Sequence, residues 1–461
     1  MSTNEQIADL LRHRRWEEAR RASLERLHQD RLDAQAWVFL GQSLIGLRRG
    51  HMAELCFQRA NLLDPFASWI DQALHDCRSV PIGAADQHVL DVLAVPSATI
   101  AAVVLTRDSS RTIRQCLAPL QQAVDEIVVV DTGSRDDTVS MVESMGLRVH
   151  HFSWVDDFAA ARNYSQFLVT AEWVIHVDSD EILYPEDTES VRTVAGLLNH
   201  KPSLVKVLQM NHLGDTISPA LVARMFKTAD FEWQLPVHEQ VVPKSHVNQT
   251  ELKWRVVQIR LFHDGYNPEV TNVQAKRDRN LRILRKAVTV DPSNPSILFH
   301  LGRELGGNAK YNEAIPYLEQ AYALEKKQPD SPLFPMICLA LSEIHLALNH
   351  RDDAREAIAR LMHLAPDHPD GWFRYGLLTY ESPPYDPHAL REVFLRAYET
   401  GQRYRGPANF DPEIGTWKAL YMLGVLAQEV GDKTTAKTLF TQVLQANPTV
   451  RDARYRLSQL D

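Results

Sequence analysis

The sequence predicts an α/β domain with a mostly parallel sheet, flanked on both sides by all-α helical repeats. Three observations carry this reading. Between residues 99 and 178, short β-branched runs alternate with helical stretches, the order expected of parallel βαβ units. One spacing of large and small apolar residues begins at Trp37 and returns after residue 290. The 461 residues leave room for two to four domains of roughly 100–200 residues each.

Residues 5–78 read as helices. Trp37, Leu40, Gly41 and Leu44 are followed by Ala53, Phe57, Ala60 and Pro65, which is the tetratricopeptide spacing. Gly41 and Ala53 let two backbones approach, while Trp37 and Phe57 fill the gaps beside them. The template returns as Leu298, Leu301, Gly302, Leu305, Ala314, Leu318 and Ala321. It returns as Cys338, Leu341, Ser342, Ala354, Ile358, Leu361 and Pro366, and as Leu420, Leu423, Gly424, Ala427, Ala436, Phe440, Val443 and Pro448. A looser copy begins at Trp372, Tyr375 and Gly376, with an insertion at 382–385. Residues 449–460 are predicted to cap the stack, which must close with a polar face.

Residues 79–98 carry two prolines and little periodicity, so a linker is expected there. The predicted organisation is therefore a helical region at 1–78, the linker, an α/β domain at 99–268, a connecting helix at 269–290 and repeats at 291–461. Within the α/β domain, strands are expected at 99–105, 127–130, 147–152 and 173–177. Helices are expected at 112–122, 134–145 and 158–169, the second with a capping box from Ser134 to Asp137. Ligands bind such sheets beyond the carboxyl ends of the strands, where Asp131 and Asp178 stand.

Composition narrows the function. Apolar residues make up 44% and charged residues 24%, which argues against wholesale disorder. Fifty basic and 59 acidic residues give a net charge of −9, which excludes a generally basic nucleic-acid binder. Cys56, Cys77, Cys116 and Cys338 are far apart and form no CxxC pair, so a reducing, cytoplasmic setting is expected. No signal peptide is visible, and the longest apolar run, 100–105, is too short to span a bilayer.

Five clusters could carry chemistry. In Asp178-Ser179-Asp180-Glu181, two carboxylates one residue apart follow an apolar strand, and hard cations such as Mg²⁺ or Mn²⁺ take such oxygens. A solvated acidic loop would look the same. Gly133 permits a tight turn after Asp131, whose carboxylate could meet a ribose or base edge or simply cap that turn. Arg162 is the only Lys or Arg between His151 and Ser190. It suits a diphosphate clamp, or else an ion pair with Asp157 or Asp178. Glu239, after His238, could be a general base. His263 could be a metal ligand, a phosphate donor or a structural histidine.

Taken in order, these stretches resemble family 2 glycosyltransferases with the GT-A fold. The resemblance runs from Val103-Val104-Leu105-Thr106-Arg107-Asp108 through Val129-Val130-Asp131-Thr132-Gly133-Ser134, and then Asp157-Phe158-Ala159-Ala160-Ala161-Arg162-Asn163. It continues through Val177-Asp178-Ser179-Asp180-Glu181 to His238-Glu239-Gln240, covering roughly residues 99–266. Fusion to tetratricopeptide repeats is similar to a bacterial branch that includes peptide S-glycosyltransferases. The resemblance implies that Thr106, Arg107 and Asp108 line a nucleotide pocket, that Asp131 contacts uracil or ribose, and that Arg162 approaches the diphosphate. It implies that Asp178 and Asp180 form a DxD motif binding Mn²⁺ or Mg²⁺, with Asp180 the more direct ligand and His263 nearby. Glu239 would be the catalytic base of an inverting transfer.

The partners implied are a nucleotide-sugar donor, typically a UDP-sugar, and a peptide or protein acceptor. The repeats would present that acceptor or mediate dimerisation. Assembly of lipopolysaccharide core or another glycan is the alternative, and a repeat scaffold with an inactive transferase domain is a third reading. Ser109 and Ser179 depart mildly from the family pattern, which often has an acidic and a small apolar residue there. The amino-terminal repeat is also less usual. Residues 151–190 hold nine acidic side chains and one basic, so −8 of the −9 lies around the expected metal site.

Overall fold

Helices pack closely only where a facing side chain is missing, and the glycines of the repeat pattern mark those places. A computed structural model describes residues 3–213, 216–248, 250–263, 273–328, 331–404, 406 and 408–460. Contacts divide the chain into two units. The first comprises Met1–Gln234 and Gln240–Val270, and the second comprises Leu235–Glu239 and Thr271–Asp461.

The first unit begins with α1 (Asn4–Arg12), α2 (Trp16–Gln29), α3 (Ala34–Gly46), α4 (Gly50–Leu63) and α5 (Ile70–Arg78). A Cβ on Gly41 of α3 would fall 2.7 Å from the Phe57 ring of α4, so only glycine permits this approach. The stretch 79–98 is not a free linker. It holds α6 (Gln87–Leu93), whose Val89 and Val92 are fully buried in one apolar cluster with Leu44, Ala53 and Phe57. A seven-residue helix is too short to show periodicity in sequence. Asp86 caps α6 and binds Arg20 Nε at 2.6 Å and Arg49 Nη1 at 2.5 Å, with its side chain 2% exposed.

Next come β1 (Ile100–Thr106), α7 (Ile113–Ala123), β2 (Glu126–Asp131), α8 (Thr138–Ser144), β3 (Val149–His151), α9 (Phe158–Phe167), β4 (Trp173–Asp178), β5 (Glu181–Leu183), α10 (Thr188–Leu198), β6 (Ser203–Leu213), β7 (Thr216–Lys227), β8 (Phe231–Gln234), β9 (Gln240–Pro243) and β10 (Lys253–His263). The main sheet runs β3-β2-β1-β4-β7-β6-β10-β5. Pairs β2–β3, β1–β2, β1–β4 and β6–β10 are parallel, while β4–β7, β6–β7 and β5–β10 are antiparallel. Strands buried on both faces read as continuous apolar runs, as 100–105 does. Ala102, Val104, Ile175 and Val177 enter one core with Leu62 of α4, and Val103 and Val174 enter the opposite one with Phe226 and Trp233. The helix expected at 134–145 starts only at Thr138. Ser134 Oγ is engaged by Asp131 and by the Asp108 amide, so it shapes a turn and caps no helix.

The second unit contains α11 (Val273–Val290) and four helix pairs: α12 (Pro295–Gly307) with α13 (Tyr311–Glu325), α14 (Leu333–Ala347) with α15 (Arg351–Leu364), α16 (Pro369–Tyr380) with α17 (Pro387–Arg403), and α18 (Lys418–Glu429) with α19 (Lys433–Ala446). It ends in α20 (Arg451–Ser458), of which only Ala453 is buried. Added Cβ atoms on Gly302, Gly376 and Gly424 would lie 2.6–2.8 Å from Leu318, Phe394 and Phe440. Ser342 takes this place in α14 and is buried. The insertion at 382–385 is tied down by Tyr385, which shares Glu429 with Tyr380 at 2.8 Å each.

Replacing Asp86 with alanine leaves two guanidinium groups without their buried anion. Urea unfolding is expected to show a loss of about 3 kcal/mol. A change below about 0.5 kcal/mol, typical of a surface site, would mean that the strap at 79–98 is not held by this contact.

Candidate active site

Parallel pairing sets the chemistry at one edge. Thr106 is in register with Asp131, and Leu105 with Asp178, so three polar chain ends emerge together at the carboxyl side of β1, β2 and β4.

At this edge Asp178 is the electrostatic centre. Its two oxygens accept from Arg162 Nη2 at 2.7 Å and Arg224 Nη2 at 2.5 Å. Arg224 also reaches Glu181 at 2.9 Å. Burial would raise the Asp178 pKa, but Arg224 and Arg162 outweigh it and hold the carboxyl well below the usual carboxylate range. Glu181, fully buried, is pushed up by burial, and the Asp178 charge adds to this against the pull of Arg224. Glu181 accepts from the Asp178 amide at 2.8 Å and from Gln209 at 2.5 Å, which locks the turn after β4.

Arg162 is 4% exposed and lies over the Trp233 ring at 4.7 Å. The structure thus realises the ion pair with Asp178 that was one of the two sequence readings. Its neighbours on α9 hold β8. Asn163 exchanges hydrogen bonds with the Trp233 backbone at 2.8 and 2.9 Å, and Gln166 donates to Phe231 O at 2.7 Å. Trp233 Nε1 donates to His176 Nε2 at 3.2 Å. Burial, reinforced by Arg162 and Arg224, lowers the His176 pKa well below its ordinary value, so the ring is a neutral acceptor.

The loops after β1 and β2 brace each other. Asp131 accepts from the Gly133 amide at 3.0 Å and from Ser134 N and Oγ. The Asp108 amide donates to Ser134 Oγ at 2.9 Å, and the Arg135 amide donates to Asp108 Oδ1 at 2.7 Å. Asp108 has φ +49°, while Thr106 is buried and Arg107 exposed. Against burial, hydrogen bonds from Thr138 and Ser110 hold Asp136 well below the usual carboxylate range. Ser109 Oγ and Ser179 Oγ are 2.8 Å apart. The two departures from the family pattern are therefore bonded to one another.

Asp180 is presented differently from Asp178. Its side chain is 39% exposed, with Oδ2 3.6 Å from His263 Nε2. His263 is buried, and its Nδ1 is 2.7 Å from Asn211 Oδ1. A carbonyl acceptor at Nδ1 takes the hydrogen bond from that nitrogen, so Asn211 holds the ring with Nε2 toward Asp180. Carboxylate oxygen plus oriented imidazole fits a divalent cation. The structure brings Asp180 and His263 together, whereas both oxygens of Asp178 face guanidinium groups. Glu239 falls in Leu235–Glu239, which belongs to the second unit. Asp264, Gly265 and Tyr266 lie outside the described residues.

Sequence reading missed Arg224, Gln209 and Asn211. The signal for Arg224 is its place in an apolar run, Leu221-Val222-Ala223-Arg224-Met225-Phe226, since a charge inside a buried strand needs a partner. The acidity of 151–190 is also offset from outside that window. Arg224 meets Asp178 and Glu181, and Arg260 meets Asp187 at 2.8 Å.

Comparison with known proteins agrees with this architecture. Residues 101–230, within the α/β region, match the model described as Glycosyl transferase family 2. Residues 307–372 and 418–450 match tetratricopeptide repeat models. The SPbeta prophage-derived glycosyltransferase SunS of Bacillus subtilis (strain 168) is 27% identical over 268 residues, 55% of this chain and 60% of its own length. A TPR repeat-containing protein of Synechococcus elongatus is 27% identical over 243 residues, 51% of this chain and 60% of that protein. The chain thus spans about 60% of the length of these curated relatives. The crystal structure of MamA protein aligns over 40% of this chain and 89% of its own at 18% identity, with a TM-score of 0.30. Among the described residues no helix is long and apolar enough to cross a membrane.

The Asp178 ion pairs have a pH signature. A carboxyl whose folded pKa is depressed stabilises the fold above its unfolded value, about 3.9, and that stability is lost as pH falls toward the folded value. Arg224→Met is expected to be less stable than wild type at neutral pH. It should also lose less stability than wild type between about pH 5 and about pH 2, measured by urea unfolding. Parallel pH profiles for the two proteins would contradict the coupling.

Proposed function

We propose that the chain is a metal-dependent inverting glycosyltransferase that moves a sugar from a nucleotide-sugar donor, in particular a UDP-sugar, to a peptide or protein acceptor held by the repeats. The observation that carries this is the pairing of Asp180 with an oriented His263 beyond the carboxyl ends of the parallel strands. Thr106, Arg107, Asp108 and Asp131 would line the nucleoside pocket. Asp178 would keep the metal loop in place through Arg162 and Arg224 and share in the metal site, and Arg162 would approach the diphosphate from that position. Mn²⁺ or Mg²⁺ held by Asp180 and His263 would offset charge on the departing diphosphate. Glu239 would take the proton from the acceptor nucleophile as it attacks the anomeric carbon. The four cysteines are free and buried, which supports a reducing, cytoplasmic setting.

A donor screen tests the reading. Thermal shift across UDP-sugars should show stabilisation that requires Mn²⁺, worth about 2.7 kcal/mol at a hundred times Kd. Asp180→Ala should abolish both this shift and sugar transfer while the repeats stay folded. Full transfer by that variant would remove the metal assignment.

Glu239→Gln separates base from binding. Turnover should fall by about 10²–10⁴-fold with donor affinity nearly unchanged. Unaltered turnover would mean that another group takes the proton. Transfer to glycan acceptors but to no peptide in an acceptor screen would replace the protein-acceptor reading.

A further inference from the structure

Residues 235–239 link β8 to β9 and carry Glu239. Two of them hold left-handed backbones that such side chains adopt at a cost, Leu235 at φ +73° and His238 at φ +54°. Such conformations persist where surrounding contacts over-determine them. Here the contacts on His238 come from α12, itself braced by α11. Arg303 Nη2 donates to His238 Nδ1 at 3.1 Å, and His238 Nε2 lies 2.7 Å from Glu304 Oε1. Asn280 Nδ2, from α11, donates to the same Glu304 oxygen at 3.1 Å. The His300 ring stacks on His238 with centroids 4.6 Å apart and planes at 21°.

Three of these partners, at 300, 303 and 304, share one turn and one face of α12. Arginine is always a donor, so Nδ1 must accept and the proton must sit on Nε2, facing Glu304. Burial lowers the His238 pKa, in keeping with a neutral ring. An apolar packing contact would need none of this. An imidazole held at both nitrogens and on one face has a fixed position, and it fixes the backbone of the next residue. That residue is Glu239.

We propose that Glu304, with Arg303 and Asn280, is a positioning residue: by clamping His238 it sets the backbone from which the base Glu239 acts. This rests on the assignment of Glu239 as base.

The test uses the full chain with Glu304→Ala and Glu304→Gln. Amide hydrogen exchange across 235–239, read without donor, should rise in Glu304→Ala and stay near wild type in Glu304→Gln, whose amide oxygen still accepts from Nε2. UDP release from UDP-glucose with Mn²⁺ and water as acceptor should fall about 10²-fold in kcat for Glu304→Ala, with donor KM within about twofold. Added to Glu239→Gln, the same change should cost nothing further. Wild-type protection of 235–239 in Glu304→Ala overturns the proposal by itself. So does undiminished turnover in that variant beside a crippled Glu239→Gln. Unaltered turnover in Glu239→Gln rejects the base assignment instead, so the two failures are told apart.

Discussion

A carboxylate at the end of a buried strand must be neutralised, and much of the α/β region is arranged around that need. Asp178 draws Arg162 from α9 and Arg224 from β7 to one point. Arg162 in turn lies on Trp233, Trp233 binds His176 in β4, and Asn163 pins the backbone of β8. One ion-pair centre therefore ties together two sheet strands, a helix and the small hairpin. Loss of Arg224 would take from the buried Glu181 the cation it meets and leave Asp178 with Arg162 alone, and breaking one partner of a buried pair costs more than the intact pair contributes.

The two aspartates of Asp178-Ser179-Asp180 accordingly sit in different settings. Both oxygens of Asp178 accept from guanidinium groups, while Asp180 is left toward solvent beside a histidine that Asn211 orients. Ser109 and Ser179, unremarkable one at a time, join the loop after β1 to the middle of the motif. A serine at only one of the two positions would lose this hydroxyl partner. The pair is best regarded as one coupled feature.

Much of the fold is legible in the sequence because its signals are local. Short β-branched apolar runs mark β1, β2 and β4 to within a residue or two, and the Gly–aromatic spacing marks the helix pairs. The ends of strands that carry Asp131 and Asp178 were likewise readable. What escaped was set by tertiary pairing. Arg224 lies 46 residues from Asp178, His263 meets Asn211 across 52, and α6 is too short to reveal a period. Arg162 was readable as a lone cation, yet no local pattern distinguishes a phosphate ligand from a structural partner. Ser134 and Asp137 have the spacing of a capping box, yet the Ser134 oxygen bonds sideways to Asp131 and Asp108 instead of capping a helix.

The burial of Leu62 has a practical side. It shares a core with Ile100, Ile175 and Val257, while Leu32 and Leu63 pack against the same residues. Arg31 and Arg59 bind the carbonyls of Ala94 and Leu93 just before the first strand. The amino-terminal helices are thus a wall of the sheet's own core. An excised α/β fragment begun at residue 99 would bare that wall's apolar imprint to water, so the smallest soluble fragment should be sought with these helices retained.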